Sequence, residues 1–117
     1  MNRKLMRYIT VTVPGWGKHR MFAYAIGDFA AHRTQYQHCE SGDLFTVTHI
    51  PSGCSVYDEF TSISGAAELA DRLSGLDLPT IHMTKAGKPR HDANWRRFKA
   101  IVTPVIQEVM LTDAGKA

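Results

Sequence analysis

The hydrophobic pattern of this chain changes period once, close to Phe60, and that change limits the folds it can adopt. Before Phe60, apolar and polar residues alternate in short runs, as they do along β-strands. After Phe60, apolar residues recur at three- and four-residue steps, as they do on one side of a helix. Strands followed by helices, with no repeat and no strand–helix alternation, predict an α+β fold. We expect about five antiparallel strands in a meander and two helices packed on one face, which leaves the other face for solvent or a partner.

Turn residues divide the first half of the chain into five strands. The first alternating run, 8–13, ends at Pro14-Gly15. The second and third, about 21–26 and 29–34, flank Gly27-Asp28, and a glycine at the first central position suits a two-residue hairpin with positive φ. The fourth and fifth, about 44–50 and 54–60, flank a turn in which Pro51 presets φ and Gly53 can take the left-handed position.

The second half predicts two helices joined by a loop. The first covers about 64–74, with Ser62 or Ser64 as N-cap and Gly75 at its end. The second covers about 93–111 and starts after Asp92, a good N-cap. Pro104 must either kink that helix or start a new one; because the apolar stripe continues in phase across it, we favour one kinked helix. We expect residues 79–92, which contain Gly87 and Pro89, to be a mobile loop.

Length and composition indicate one soluble domain spanning residues 1–117. A hydrophobic content of 44% with 21% charged residues is ordinary for a globular protein. No apolar run approaches the ~20 residues that span a bilayer, and the N-terminal residues lack the apolar core of a secretory signal. We therefore expect a cytoplasmic protein without membrane contact. Two cysteines, Cys39 and Cys54, are too few for a disulfide framework, and we expect free thiols, although a hairpin could bring them close.

The net charge of +3 hides a segregated distribution. Residues 1–20 carry +5, residues 21–80 carry −6 and residues 81–117 carry +4. Basic ends around an acidic middle bear on the choice of partner rather than on the fold.

The polar residues of the fourth and fifth strands raise the question of a chemical site. His49, expected to face inward, lies near Cys54, but His32, His38 and Cys39 do not complete the closely spaced pairs that zinc sites use. A Cys–His nucleophile needs the thiol within reach of an oriented base, and here the two side chains could also point apart. We therefore interpret His49 as structural, bonded across the hairpin or into its turn, and predict no metal site.

The acidic residues do not indicate catalysis either. Asp58-Glu59 and the pair Glu68 and Asp71 have neither a glycine-rich phosphate loop nor a nuclease pattern beside them. The simpler interpretation is a solvated acidic surface. We expect a protein that is not an enzyme and uses no cofactor.

The basic residues and one tryptophan are the better binding candidates. Trp16 lies in a glycine-rich loop, where an exposed tryptophan can anchor a partner, whereas Trp95 begins an apolar stripe and is expected in the core. Exposed bases in the loop and at the start of the second helix could contact phosphates, or could simply be a solvated surface. The predicted binding residues are Trp16, Lys18, Arg20, Lys85, Lys88, Arg90, Arg96, Arg97 and Lys99.

The run FTVTHIPSGCSVYDEFTSISGAAELADRLSGL resembles a pattern in small uncharacterised proteins of bacteriophages and prophages. The shared features are an aromatic residue, a Thr-His-x-Pro-Thr/Ser-Gly hairpin, a strand and an alanine-rich helix, over about a third of the chain. The matching residues are Phe45, Thr48, His49, Pro51, Ser52, Gly53, Phe60, Ala66, Ala67, Ala70 and Leu73.

This resemblance implies a phage-type accessory protein in a bacterial host cell, and by analogy an anti-CRISPR-like inhibitor of host defence. We expect it to bind a host protein or ribonucleoprotein complex through the open sheet face, the Trp16 loop or the charged patches. The alternative is a nucleic-acid-binding accessory protein that uses the basic loop and the start of the second helix.

Overall fold

The computed structural model describes residues 4–13, 17–34 and 44–116, and these form the predicted α+β architecture. Five strands make one antiparallel sheet in the order β1-β2-β3-β4-β5. Two helices, α1 and α2, follow the strands in the chain. The bounds are β1 Lys4–Val13, β2 Gly17–Ile26, β3 Phe29–Arg33, β4 Phe45–His49, β5 Cys54–Phe60, α1 Ile63–Ser74 and α2 Ala93–Lys116.

Both predicted hairpin turns form at their glycines. Gly27 has φ 57° and lies between the paired residues Ile26 and Phe29, and Gly53 has φ 72°. These positive φ values are costly for residues with a Cβ atom, which explains the glycines. In the second turn the Gly53 amide donates to the carbonyl of His49 at 2.8 Å. The first hairpin, β1–β2, is longer than predicted and pairs Lys4 with Ile26 at its open end.

The helix caps match the sequence prediction. The Ser62 hydroxyl accepts the amide of Gly65 at 3.0 Å, and Gly75 caps the other end of α1. The Asp92 carboxylate accepts the amide of Trp95 at 3.0 Å, and this bond, followed by one from His82, lowers the Asp92 pKa.

The second helix is longer than its apolar stripe suggested. It continues to Lys116 rather than ending near 111, and Pro104 lies inside it. The preference for one helix over two is therefore confirmed. Between the helices, residues 79–92 contain a short bridge between Met83 and Pro89; their mobility stays a prediction. Within the described part of the chain, neither helix has the length and apolar character needed to cross a membrane.

One face of the sheet packs against both helices. Phe29, Val47 and Phe60 project from β3, β4 and β5, and each is at most 2% exposed. The buried stripe of α1 and Phe98, Val102 and Val109 of α2 complete this helix-side core. The burial of Ala66, Leu69, Ala70 and Leu73 confirms the stripe predicted for the first helix.

The opposite face is also buried, so the expectation that it lies open to solvent or a partner is wrong. Ile9, Val11, Ala23, Ala25 and Ala30 form a second core and are at most 4% exposed. No described helix covers them; instead the sheet is rolled, so that its two edge strands, β1 and β5, come into contact. Three of these five residues are alanines on β2 and β3, and their small side chains take little space on the concave side of the sheet. We call this concave surface the inner face.

Polar residues of the inner face satisfy one another. His32 is 4% exposed, and its Nε2 lies 2.7 Å from the hydroxyl of Thr48, while its Nδ1 lies 2.6 Å from the carbonyl of Arg33. Because a carbonyl only accepts, Nδ1 carries the proton of the neutral ring and Nε2 accepts from Thr48. Burial lowers the pKa of His32, which keeps the ring neutral near pH 7.

Candidate functional site

The β1–β2 hairpin carries an exposed aromatic and cationic surface beyond the area that the helices cover. Tyr8 and Phe22 are cross-strand partners whose rings meet edge to face at 5.2 Å. Tyr8 is 59% exposed, Phe22 54% and the neighbouring Met6 58%. Alternation places Lys18 and Arg20 on the same side of β2 as Phe22. We call the side chains Met6, Tyr8, Lys18, Arg20 and Phe22 the ribbon face.

The ribbon face is positive and is not neutralised by its own strands. Strands β1 and β2 contain four lysines and arginines and no aspartate or glutamate. The guanidinium carbon of Arg20 lies 5.1 Å from the centre of the Tyr8 ring, a cation–π distance. Large aromatic surfaces held beside fixed cations are suited to a flat, anionic ligand.

An apolar groove adjoins the ribbon face, where β2 and β3 meet the start of α1. Its volume is about 400 Å³, and Met6 and Phe22 contribute to both surfaces. Ile63, the first residue of α1, is 45% exposed at its rim. The other side chains that shape it include Tyr24, Arg33, Phe45 and Ala67.

The basic residues predicted around the second helix form a separate surface. Lys85, Lys88 and Arg90 are exposed between the helices, and Arg96, Arg97 and Lys99 are exposed on the first turns of α2. We call these six residues the basic cluster. Their predicted exposure is confirmed, but they share no element with Lys18 and Arg20.

Trp95, the aromatic residue next to the basic cluster, already stacks on other rings of the protein. Trp95 is half-buried and stacks with His91 at 6.3 Å and with Phe98 at 6.1 Å, both rings lying 11° from parallel. Lys99 lies 5.7 Å from the Trp95 ring, and Arg96 donates to the carbonyl of His91 at 3.3 Å. The cluster therefore offers charge without a free aromatic platform.

Sequence reasoning identified part of the ribbon face and missed its centre. Lys18 and Arg20 were predicted, whereas Met6, Tyr8 and Phe22 were not. A partial signal was present, because aromatic residues at 22 and 24 alternate with small apolar ones, so both sides of β2 are apolar. Trp16, the predicted anchor, lies outside the described residues.

His49 faces the helix side, as predicted, and bonds into its own turn. Its Nδ1 lies 2.8 Å from the hydroxyl of Ser52, which itself donates to the His49 carbonyl and accepts the amide of Cys54. Its ring packs against Phe29 and Phe98 at 5.3 Å each. The structural interpretation of His49, with a hydrogen bond into the turn, is confirmed.

Cys54 shares a face with His49, since the two are cross-strand partners. Its thiol nevertheless points to the carbonyl of Ser52 at 3.7 Å, while the imidazole is bonded to the Ser52 hydroxyl. This geometry does not pair the thiol with a base. Cys54 is a free thiol in the described structure, and Cys39 lies outside it.

No group of three or more His, Cys, Asp or Glu side chains is arranged to hold a metal ion within residues 4–13, 17–34 and 44–116. His38 and Cys39, which the sequence offered as candidate ligands, fall outside these ranges.

The two buried histidines should make folding stability depend on pH below neutrality. Burial lowers the pKa of both His32 and His49, so the unfolded chain binds these protons at a higher pH than the folded chain does. Stability is therefore fully present above about pH 6.5 and falls as the pH drops from there toward the folded pKa values, by up to about 1.4 kcal/mol per pH unit for each histidine. Urea denaturation between pH 8 and pH 5 measures this.

The control is His32→Gln, which removes one titrating group. We expect a smaller slope below pH 6.5 in this variant, whatever its absolute stability. An unchanged slope would contradict the role of His32.

Comparison with known proteins gave no match: no protein-family model, no curated protein and no solved structure is similar to this chain.

Proposed function

We propose that this protein is a non-catalytic binding protein that binds single-stranded nucleic acid across the ribbon face. The observation that carries the proposal is the exposed Tyr8–Phe22 pair with Arg20 against it, on two strands without a single acidic residue. This revises the predicted alternative, which placed nucleic acid on the basic cluster.

Single strands fit this surface better than a duplex does. Base-on-ring stacking requires a base face that is not covered by neighbouring base pairs, and it is worth about 1–3 kcal/mol per base. Lys18 and Arg20 precede Phe22 along β2, at the spacing of alternate residues. A strand lying along β2 could therefore stack bases on the rings and place phosphates at the cations.

The basic cluster does not offer the same combination. Trp95 is stacked on His91 and Phe98, and Arg96 is engaged with the His91 carbonyl. Charge alone supports weak, sequence-independent attraction to phosphates.

The test is fluorescence anisotropy with labelled single-stranded DNA and RNA, titrated at several salt concentrations. For two to four phosphate contacts, the slope of log K against log salt should be about −1.4 to −2.8. The variant Arg20→Ala should weaken binding and make the slope shallower by about 0.7.

The matched control is Arg96→Ala, which removes the same charge from the basic cluster. We expect its affinity and salt slope to stay near those of the unmodified protein. If Arg96→Ala reduces binding and Arg20→Ala does not, nucleic acid lies on the basic cluster. Absence of binding at low salt would exclude both sites.

A second candidate function is inhibition of a host protein complex, as phage-type and anti-CRISPR-like proteins do. The apolar groove beside the ribbon face supports it, because Tyr, Met and Arg around a groove are typical of binding hot spots. The phage-like pattern from Phe45 to Leu73 supports the same context. A bacterial complex that survives nuclease treatment and high salt, and is lost in Ile63→Ala at the rim of the groove, would favour this candidate.

A further inference from the structure

A cavity at the edge of the helix-side core, away from the ribbon face, has acidic residues and no basic ones in its lining, whereas the ribbon face is basic. It has a volume of about 380 Å³ and lies between the β2–β3 turn, the end of β4 and the end of α1. Buried Phe29, Leu73 and Ile81 form apolar walls. It shares no residue with the ribbon face, and its size suits a small ligand.

The charged groups of this cavity are all acidic. Asp28 and Asp77 line it, no lysine or arginine does, and neither carboxylate forms an ion pair within the described part of the chain. The C-terminal end of α1, at Leu73 and Ser74, adds the partial negative charge of a helix terminus. In a protein with net charge +3, this concentration of negative charge is local.

His49 gives the cavity a polar side chain. The residue is 8% exposed and is among those that line the cavity. Nδ1 of the ring shares a 2.8 Å hydrogen bond with the Ser52 hydroxyl, and Nε2 can accept a ligand's hydrogen bond when Nδ1 carries the proton of the neutral ring. Among residues 4–13, 17–34 and 44–116 the His49 ring forms its hydrogen bond through Nδ1 alone, which leaves Nε2 for a ligand.

We propose that this cavity binds a small ammonium ligand with an apolar body. The ammonium group donates to His49 Nε2 and lies in the field of Asp28 and Asp77, while the apolar body packs against Phe29, Leu73 and Ile81. A neutral or anionic ligand of the same shape lacks this electrostatic match.

Benzylamine is the probe, with benzyl alcohol and benzoate as its neutral and anionic counterparts. In titrations of the full chain followed by NMR, benzylamine should bind with a Kd of about 1 mM, the range for a ligand of this size. The His49 ring-carbon signals on either side of Nε2 should shift and saturate. Benzyl alcohol and benzoate should bind at least about tenfold more weakly.

Variants separate the proposed site from non-specific attraction of amines. Asp28→Asn and Asp77→Asn should each weaken benzylamine binding about two- to fivefold, as expected for exposed carboxylates. Glu59→Gln removes a charge of the same sign from β5, outside the cavity, and should leave the Kd unchanged.

Two results would overturn the proposal: benzoate binding as tightly as benzylamine, or His49 signals that do not move at saturating benzylamine. Acetyl-lysine methylamide, a mimic of a peptide lysine, distinguishes the source of the ammonium group. Weaker binding than benzylamine supports a free small amine. Equal or tighter binding overturns that assignment in favour of a protein side chain.

Discussion

Replacement of Ala30 by arginine is expected to unfold the protein or to remove about 4 kcal/mol or more of its stability. Ala30 is 0% exposed on the inner face and faces Ala25 and Thr48 across its neighbouring strands. Because the inner face is buried inside the rolled sheet, a long cationic side chain at this position would have to be taken out of water. Since most domains are stable by only about 5–15 kcal/mol, the loss should be visible directly by circular dichroism and urea denaturation.

Ala100→Arg is the matched control, because Ala100 is exposed on α2 and should accept arginine with a change of less than about 0.5 kcal/mol. Ala30→Val, a smaller overpacking change, should cost about 1–3 kcal/mol and gives a measurable value if the arginine variant does not fold. A stable, cooperatively folding Ala30→Arg would show that the inner face is open to solvent, as the sequence alone suggested.

The double variant Tyr8→Ala/Phe22→Ala is expected to bind single-stranded nucleic acid at least about 30-fold more weakly than the unmodified protein. Each ring contributes about 1–3 kcal/mol of stacking, so losing both removes about 2 kcal/mol or more. Folding should change by less than about 1.5 kcal/mol, because both side chains are more than half exposed and lose mainly their edge-to-face contact. Anisotropy titration and urea denaturation of the same samples separate the two effects.

Tyr8→Phe is the control for this pair, since it keeps the ring and removes only the hydroxyl. We expect its affinity to stay within about twofold of the original. Equal affinity of the double variant and the unmodified protein would place the nucleic acid elsewhere. A fall of similar size in Tyr8→Phe would instead point to a hydrogen bond from the hydroxyl.

The parts of the fold that local chemistry determines could be predicted from the sequence. Gly27 and Gly53 take the positive φ values that their turns require, and Ser62 and Asp92 accept the amides that helix starts leave free. Each of these depends on residues within four positions along the chain. The order of strands and helices followed from the same signals.

The rolling of the sheet depends on contacts between its two edges, and no local pattern encodes such a contact directly. A partial signal was available: β2 is apolar on both sides, with Ala23 and Ala25 opposite Phe22 and Tyr24. Strands of this kind are typically buried on both faces. The ribbon face was missed for the same reason, because which half of an apolar strand is covered depends on the position of distant α1.

Exposed and buried side chains alternate along β1. Tyr8 is exposed, Ile9 buried, Thr10 exposed and Val11 buried, and the buried ones fill the inner face. Substitutions at Tyr8 or Thr10 therefore change the exposed surface of the protein without disturbing its interior. Insertion or deletion of a single residue has the opposite effect, since it turns every following side chain to the other side of the strand. Along β1, the exposed positions can vary in residue identity, whereas the length of the strand is fixed.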